Sequence, residues 1–513
     1  MESNAAGLDW DTLKARVAQQ DQLIDALRFE IAQLKRLLFG RRSEQLAAPI
    51  DTHQLSLWNE TPEDAPAVSP VTFKTVTASP AKGQPKRMPL PAHLPREIVV
   101  LPLSPEQRAC PACGSDRPVI GYDTAERLDY VPATLKVIET RREKCACTCC
   151  QGQLTTAPAP PQVIEQGIPL PGLLAYLLTA KYLYHLPLYR IEQLFAAQGF
   201  PVARTTLCDW VMQCGQALMP VAERMMELLK EQAVIFSDDT TVALQNSGKT
   251  RNTRFWVYAG HSPPLIVYHH TETRAGQHPK AQLQGWSGYL QVDAYAGYDQ
   301  VFADGRILEV ACWAHARRKF FDIADQAGKD TRISAHVALD FIGQLYAIER
   351  QAKDRALAAE ERRDLRQQQA LPMLATFKDW LEEPLRELAP KTPTAKAIAY
   401  VLNNWEALRR YTEDGRLEID NNRSERAIRP LAIGRKNWLF LGSPRGGQVA
   451  ATVFSLIQTC KELGINPEAY LKEVLTRLPT TKQKDIDTLL PHRWSSTTNS
   501  SPADQATATA AIA

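Results

Sequence analysis

At 513 residues, 44% hydrophobic and 23% charged, the chain holds core material for roughly two to four domains and has the polarity of a soluble globular protein. No apolar run approaches a bilayer span, and residues 1–10 carry no basic, apolar leader, so membrane and secreted classes are disfavoured and a cytoplasmic protein is expected. The net charge of +3 excludes little, because the positive charge is clustered: Lys35, Arg36, Arg41 and Arg42; Arg141, Arg142 and Lys144; Arg317, Arg318 and Lys319; and Arg423, Arg426, Arg429, Arg435 and Lys436.

Residues 10–48 read as a helix. Leu13, Val17, Gln20, Ile24, Leu27, Ile31, Leu34 and Leu38 alternate four- and three-residue steps, a heptad seam that favours a coiled coil over a lone docked helix. Residues 49–105 are proline-rich and read as a linker. A cysteine cluster follows in a module at 106–156, and in a cytosolic chain such clustering favours metal over disulfide. Cys110-x2-Cys113 and Cys147-x2-Cys150 supply four thiolates for tetrahedral Zn²⁺, with Cys145 and Cys149 as rival ligands. Zinc would fold a module too small to bury a core unaided. Within it, residues 137–144 read as a strand with basic positions, suited to phosphate or to solubilising an edge.

Residues 165–230 read as helical. A helix at 188–198, a turn at Gly199-Phe200-Pro201 and a helix from Arg204 have the form of a helix-turn-helix, a pattern as often structural as DNA-reading. The period then changes. Short apolar runs at 233–236, 255–259, 265–268, 289–292 and 307–311 read as strands of a buried mixed sheet. Helical patterns return at 312–325, across an insertion at about 326–415, and at 422–434 and 448–477. A sheet-bearing core at 231–440, a helical segment at 441–480 and a disordered tail at 481–513 complete the expected organisation.

Three acids stand out in this frame. Asp238 follows Val234-Ile235-Phe236, Asp293 follows Tyr289-Leu290-Gln291-Val292, and Glu425 lies on a helix behind Asp420-Asn421-Asn422. Asn421 or Asn422 would cap that helix and leave its amides directed at phosphate. Taken singly, they read as a turn acid, a strand-end cap and a salt-bridge partner of Arg429. Together they read differently. Acids ending buried strands are costly unless compensated, and converging carboxylates are most often compensated by a hard divalent cation such as Mg²⁺. Two such ions make a phosphoryl-transfer centre, with nearby Arg and Lys offsetting transition-state charge. The reading is a metal-dependent enzyme that cuts and joins DNA.

The sequence resembles a DDE transposase of the insertion sequence 66 family over most of residues 10–475. The resemblance is carried by Leu37-Leu38-Phe39-Gly40-Arg41-Arg42-Ser43-Glu44, Cys110-Pro111-Ala112-Cys113-Gly114, Leu128-Asp129-Tyr130-Val131-Pro132 and Asp293-Ala294-Tyr295-Ala296-Gly297-Tyr298. It is carried further by Cys312-Trp313-Ala314-His315-Ala316-Arg317-Arg318 and Asp420-Asn421-Asn422-Arg423-Ser424-Glu425-Arg426-Ala427. It implies a multidomain α/β protein: an RNase H-like mixed-sheet catalytic core with a helical insertion, an N-terminal coiled coil and a small four-cysteine zinc module. It implies Asp238, Asp293 and Glu425 as the catalytic triad holding two Mg²⁺ (or Mn²⁺) ions, and its zinc-finger register selects Cys110, Cys113, Cys147 and Cys150 for one structural Zn²⁺. Where the family has Asp-Glu-Thr this chain has Asp238-Asp239-Thr240, which makes Asp239 a competitor for the first place. His315, Arg317, Arg318, Asn421, Asn422, Arg426 and Arg429 would neighbour the acids or contact phosphate. The implied reaction is cleavage at element ends followed by attack of the freed 3′-OH on target DNA. Implied partners are double-stranded DNA of both kinds, a homodimer or higher oligomer and small helper proteins of the same element, at the bacterial nucleoid. Two alternatives stand beside it: a DNA-binding regulator on an inactive fold, and a nuclease that cuts without joining.

Overall fold

A computed structural model describes residues 135–141, 144–145, 155–156, 159–165, 167–327, 334–389 and 391–494. The coiled coil expected at 10–48, the linker expected at 49–105, the expected zinc ligands Cys110, Cys113, Cys147 and Cys150, and Arg142 lie outside the described residues. Of the strand expected at 137–144, residues 137–141 have no regular structure, and among the described residues Lys144–Cys145 pairs antiparallel with Thr155–Thr156.

A mixed sheet positions everything that follows. Its strands are β1 (Val234–Asn246), β2 (Lys249–His261), β3 (Pro264–Thr271), β4 (Gly288–Gln291), β5 (Ile307–Val310) and the short β6 (Phe440–Leu441). The spatial order is β3-β2-β1-β4-β5; β1, β2 and β3 run antiparallel, whereas β4 and β5 are parallel to β1. Ser247 and Gly248, both at positive φ (41° and 80°), make the two-residue turn between β1 and β2, which matches the right-handed twist of paired strands.

β1 does not end at Asp238, as the apolar run suggested. It is 13 residues long and runs on through the polar stretch to Asn246, with Asp238 opposite Val257 and Asp239 opposite Trp256. The reason is β2, whose hydrogen-bonding row carries β1 past the point where its apolar residues stop. On the other side β1 loses its parallel neighbour after Phe236, which pairs with Gln291, and regains one only at Ala243, opposite Phe440 of β6. The window between, residues 237–242, is an open strand edge in the middle of the sheet.

Helices α1 (Pro171–Tyr182), α2 (Leu188–Ala197) and α3 (Arg204–Leu229) precede the sheet, and the α2–α3 turn uses Gly199 at φ 81°. α4 (Trp313–Ala327) leaves β5 and opens the insertion, which contains α5 (Ser334–Asp354), α6 (Leu371–Glu387) and α7 (Pro393–Asn403). These are pinned by an aromatic cluster: Phe341 stacks on Phe377 at 4.8 Å, Trp313 meets Trp405 edge-on at 6.3 Å, and the Trp313 indole donates to the Leu408 carbonyl. α8 (Asn422–Trp438), α9 (Pro444–Glu462) and α10 (Pro467–Arg477) follow. The single pattern at 448–477 is two helices, because Gly464 at φ 70° and the Asn466 cap before Pro467 break it.

The segments expected at 165–230 and 441–480 are not separate bodies. Their apolar faces share one core with the sheet: Tyr182 meets Phe454 edge-on at 5.3 Å, and Gly215 of α3 lets Val449 of α9 approach its Cα. Nor does the tail begin at 481. Residues Gln483–Leu489 and Pro491–Arg493 form short 3-10 helices that bury Ile486, Leu489 and Leu490.

α9 also closes the rim of the sheet. Its Thr459 hydroxyl accepts from the Ile266 amide at 2.9 Å and donates to the Ile266 carbonyl at 3.0 Å, while Ser455 accepts from the Tyr268 amide at 2.8 Å. Edge strand β3 thus has its open backbone groups satisfied by a helix rather than by water or another strand. Thr459→Val keeps the shape but leaves both Ile266 groups buried and unpaired. The expected cost is about 1–3 kcal/mol, read as a lower urea midpoint at unchanged slope.

Candidate functional site

The open window of β1 is where the acids meet. Asp238 lies in it on the strand. Asp293 follows β4 by two residues, where the chain is turned aside by Ala294 at φ 60°, a left-handed conformation that costs a non-glycine residue about 1–2 kcal/mol. That turn is held by the Tyr295 amide donating to Asp293 Oδ1 at 3.2 Å and by the Tyr400 hydroxyl donating to the Asp293 carbonyl at 3.2 Å. Glu425 arrives in the first turn of α8.

α8 is bolted to the window by Asn421, which is fully buried. Its side-chain amide donates to the Ser237 carbonyl at 2.8 Å, satisfying an edge group that no strand reaches. Asn421 occupies the cap position as expected, but its side chain makes no cap bond to the helix amides. Asn422 bonds instead to Asp420 (Nδ2 to Oδ2, 2.7 Å), and Tyr346 of α5 donates to the same oxygen at 3.0 Å. Gln291 at the end of β4 donates to the Glu418 and Asp420 carbonyls. Arg435 donates to Thr240 and Thr241 at the far end of the window.

The result is a crowd of like charges. The Asp238 carboxyl is pushed up to about 8, first by burial and then by Asp293, with Asp239 and Glu425 adding to it; a hydrogen bond from the Asp239 amide (2.7 Å) opposes the rise. Among the described residues no Lys or Arg pairs with Asp238 or Asp293. Glu425 Oε1 is buried without a hydrogen-bond partner and faces His315 Nδ1 at 3.7 Å. A half-buried Asp238 in the field of Asp293 and Glu425 offers carboxylate oxygens of the kind a hard divalent cation takes.

Asp239 belongs to a different arrangement. Successive strand residues face opposite sides of a sheet, and its side chain, 2% exposed, is gripped by Arg254 at 2.9 Å and Arg274 at 2.8 Å. Arg274 in turn lies over the Tyr295 ring at 3.4 Å. Its charge is already spent.

The remaining expected residues divide. His315 stands beside Glu425. Arg317 packs over the Phe321 ring, while Arg318, Arg426 and Arg429 are exposed. The intrahelical pair Glu425–Arg429 does not form. Arg423 is tied down by the Gly260 carbonyl at 2.7 Å and by Glu462 at 3.2 Å. Three contributors went unread: Arg254 and Arg274, which no local pattern ties to Asp239, and Cys312, whose sulfur accepts the Asn421 amide at 3.2 Å. The spacing Cys312-x2-His315 directly after an apolar strand was the available signal for the last.

Among the described residues, no helix is long and apolar enough to cross a membrane. The Transposase IS66 family matches residues 166–449, an IS66 C-terminal element matches 455–492, and the zinc-finger binding domain of transposase IS66 matches 107–151. A fourth match, Transposase C of IS166 homeodomain, covers 26–99 and so runs into residues expected to be linker. Relatives in Sinorhizobium fredii (strain NBRC 101917 / NGR234) span nearly the whole chain. The uncharacterized protein y4qI is 36% identical over 514 residues, 95% of this chain and 92% of its own. The uncharacterized protein y4jD is 33% identical over 505 residues, 94% of this chain and 97% of its own.

Proposed function

The chain belongs to the IS66 family of transposases, and from that membership and the meeting of its acids we propose that it cleaves DNA at element ends and joins the freed 3′-OH to target DNA. What carries this reading is that Asp293 and Glu425, from two other segments, act on Asp238, whose carboxyl is held up to about 8 first by burial and then by these neighbouring acids. The order β3-β2-β1-β4-β5, with an acid on the central strand, one after its parallel neighbour and one on a later helix, supports an RNase H-like core.

In this reading Asp238, Asp293 and Glu425 hold a pair of Mg²⁺ or Mn²⁺ ions. When bound, those ions would lower the pKa of the attacking water or 3′-hydroxyl and offset charge on the leaving oxygen. The chain's own residues fix the geometry. Asn421 sets the height of α8 against β1, the Tyr295 amide orients Asp293, and His315 faces Glu425 at 3.7 Å. Asp239 is a positioning residue that holds Arg274 and, through it, Tyr295. Exposed Arg318, Arg426 and Arg429 are suited to DNA phosphates. The zinc-finger match supports one structural Zn²⁺ on Cys110, Cys113, Cys147 and Cys150, and the heptad seam supports pairing of two copies, which would bring two ends together. Small helper proteins of the element remain proposed partners on the family resemblance alone.

The test is incubation of the full-length chain with labelled element-end duplexes, a plasmid target and Mg²⁺. Joined product is expected. Cleavage without joining would establish the nuclease, and binding without cleavage the regulator; either result overturns the proposal.

A further inference from the structure

Cys312, His315 and Glu425 form a cluster whose sulfur the proposed chemistry does not use. Cys312 sits between β5 and α4, His315 in the first turn of α4, and Glu425 in the first turn of α8. One ligand atom from each lies within 4.8 Å of the others. His315 Nδ1 and Glu425 Oε1, 3.7 Å apart, are both buried without a hydrogen-bond partner. Donors held about 2.0–2.3 Å from one tetrahedral ion are separated by distances of that order.

The surroundings suit a bound thiolate. Cys312 Sγ accepts the Asn421 amide at 3.2 Å and a backbone bond from His315. Such amide donors orient a metal-bound sulfur and stabilise its charge. The sulfur also stands just ahead of a helix N-terminus, which favours the anion. Burial alone works the other way and pushes the Cys312 thiol up to about 12, so the metal-free protein keeps it protonated.

We propose that Cys312, His315 and Glu425 bind Zn²⁺, and that this ion withdraws Glu425 from the acid cluster and holds the protein inactive. A thiolate, an imidazole and a carboxylate select a soft or borderline cation over Mg²⁺, which prefers an all-oxygen shell. Binding replaces the Cys312 S–H bond with S–Zn and releases the proton to solvent; nothing is oxidised or reduced. The fourth tetrahedral position is left for water. The inhibitory half rests on the proposed catalytic role of Glu425, whereas the binding half does not.

Equilibrium dialysis of the full-length protein against buffered free Zn²⁺ separates the two. Wild type is expected to hold one zinc more than Cys312→Ser at the same free concentration, and His315→Gln to weaken that ion by about tenfold or more. Equal zinc content and affinity in wild type and His315→Gln would overturn the site, even where Cys312→Ser fails to fold. In the cleavage assay with Mg²⁺ present, added Zn²⁺ should suppress wild type, and the midpoint should rise about tenfold or more in His315→Gln measured against its own uninhibited rate. Zinc held without suppression overturns the inhibitory half alone. Absence of any Mg²⁺-dependent cleavage overturns the proposed function and, with it, the inhibitory half, while dialysis still decides the zinc site.

Discussion

Asp238→Asn is expected to reduce cleavage and joining by about a thousandfold or more, the loss of several kcal/mol of transition-state stabilisation, and at the same time to make the metal-free protein more stable. The two effects have one cause. The Asp238 carboxyl is raised from an ordinary 3.8 to about 8 by burial and by Asp293, Asp239 and Glu425. Because its folded pKa lies above its unfolded value, its contribution to stability is fully present below pH 3.8 and is lost as pH rises through about 8. Each pKa unit is worth about 1.4 kcal/mol, so the alkaline penalty amounts to a few kcal/mol. Thermal melts of the metal-free protein should therefore show wild type losing stability across that window and Asp238→Asn losing much less. Mg²⁺ should raise the wild-type melting temperature at the alkaline end and leave the variant nearly unmoved. Asp239→Asn makes the opposite contrast, since it strands Arg254 and Arg274 without their counter-charge and should destabilise the protein at every neutral pH. A stabilised Asp239→Asn and a destabilised Asp238→Asn would reverse the assignment.

Arg366→Met should lower stability by about 3–5 kcal/mol, the cost of removing one partner from a buried ion pair. Arg366 is wholly buried in the insertion and pairs with Glu349 through two bonds, Nε to Oε1 at 2.7 Å and Nη2 to Oε2 at 2.8 Å. Its guanidinium also donates to the carbonyls of Tyr411, Asp414 and Leu417. Those carbonyls belong to the segment that runs into Asp420, Asn421 and α8. The variant leaves Glu349 partly uncompensated and frees the approach to Glu425, so surviving folded protein should also cleave more slowly. Urea unfolding measures the first effect. Removing both charges in Arg366→Met/Glu349→Leu should recover part of the loss, because Arg362 keeps its contact with Glu418 at 2.8 Å.

Much of this was written locally. The runs 255–259 and 265–268 fall within strands and 289–292 and 307–311 overrun theirs by one residue, because each is apolar enough for a sheet that buries most of its residues. The acids were visible as polar residues attached to such runs. What was not legible depended on partners distant in the chain. Ser237-Asp238-Asp239-Thr240 looks like a strand ending because its pairing comes from β2 and not from its own side chains. The choice between Asp238 and Asp239 turns on Arg254 and Arg274, one across the sheet and one in a loop. Asn421 looks like a helix cap and acts as a bolt, since the carbonyl it satisfies belongs to a strand that sequence reading had already ended. Ile486, Leu489 and Leu490 are too sparse among polar residues to show a period, yet all three are buried in the shared core.

The placement of Glu425 beyond the whole insertion has a consequence during synthesis. A ribosome releases Asp238 and Asp293 well before it reaches α8, and α9, which covers the last strand, later still. A nascent or prematurely terminated polypeptide thus owns two acids of three and an unsealed sheet. On the proposed reading, DNA cleavage therefore requires a chain synthesised past α8.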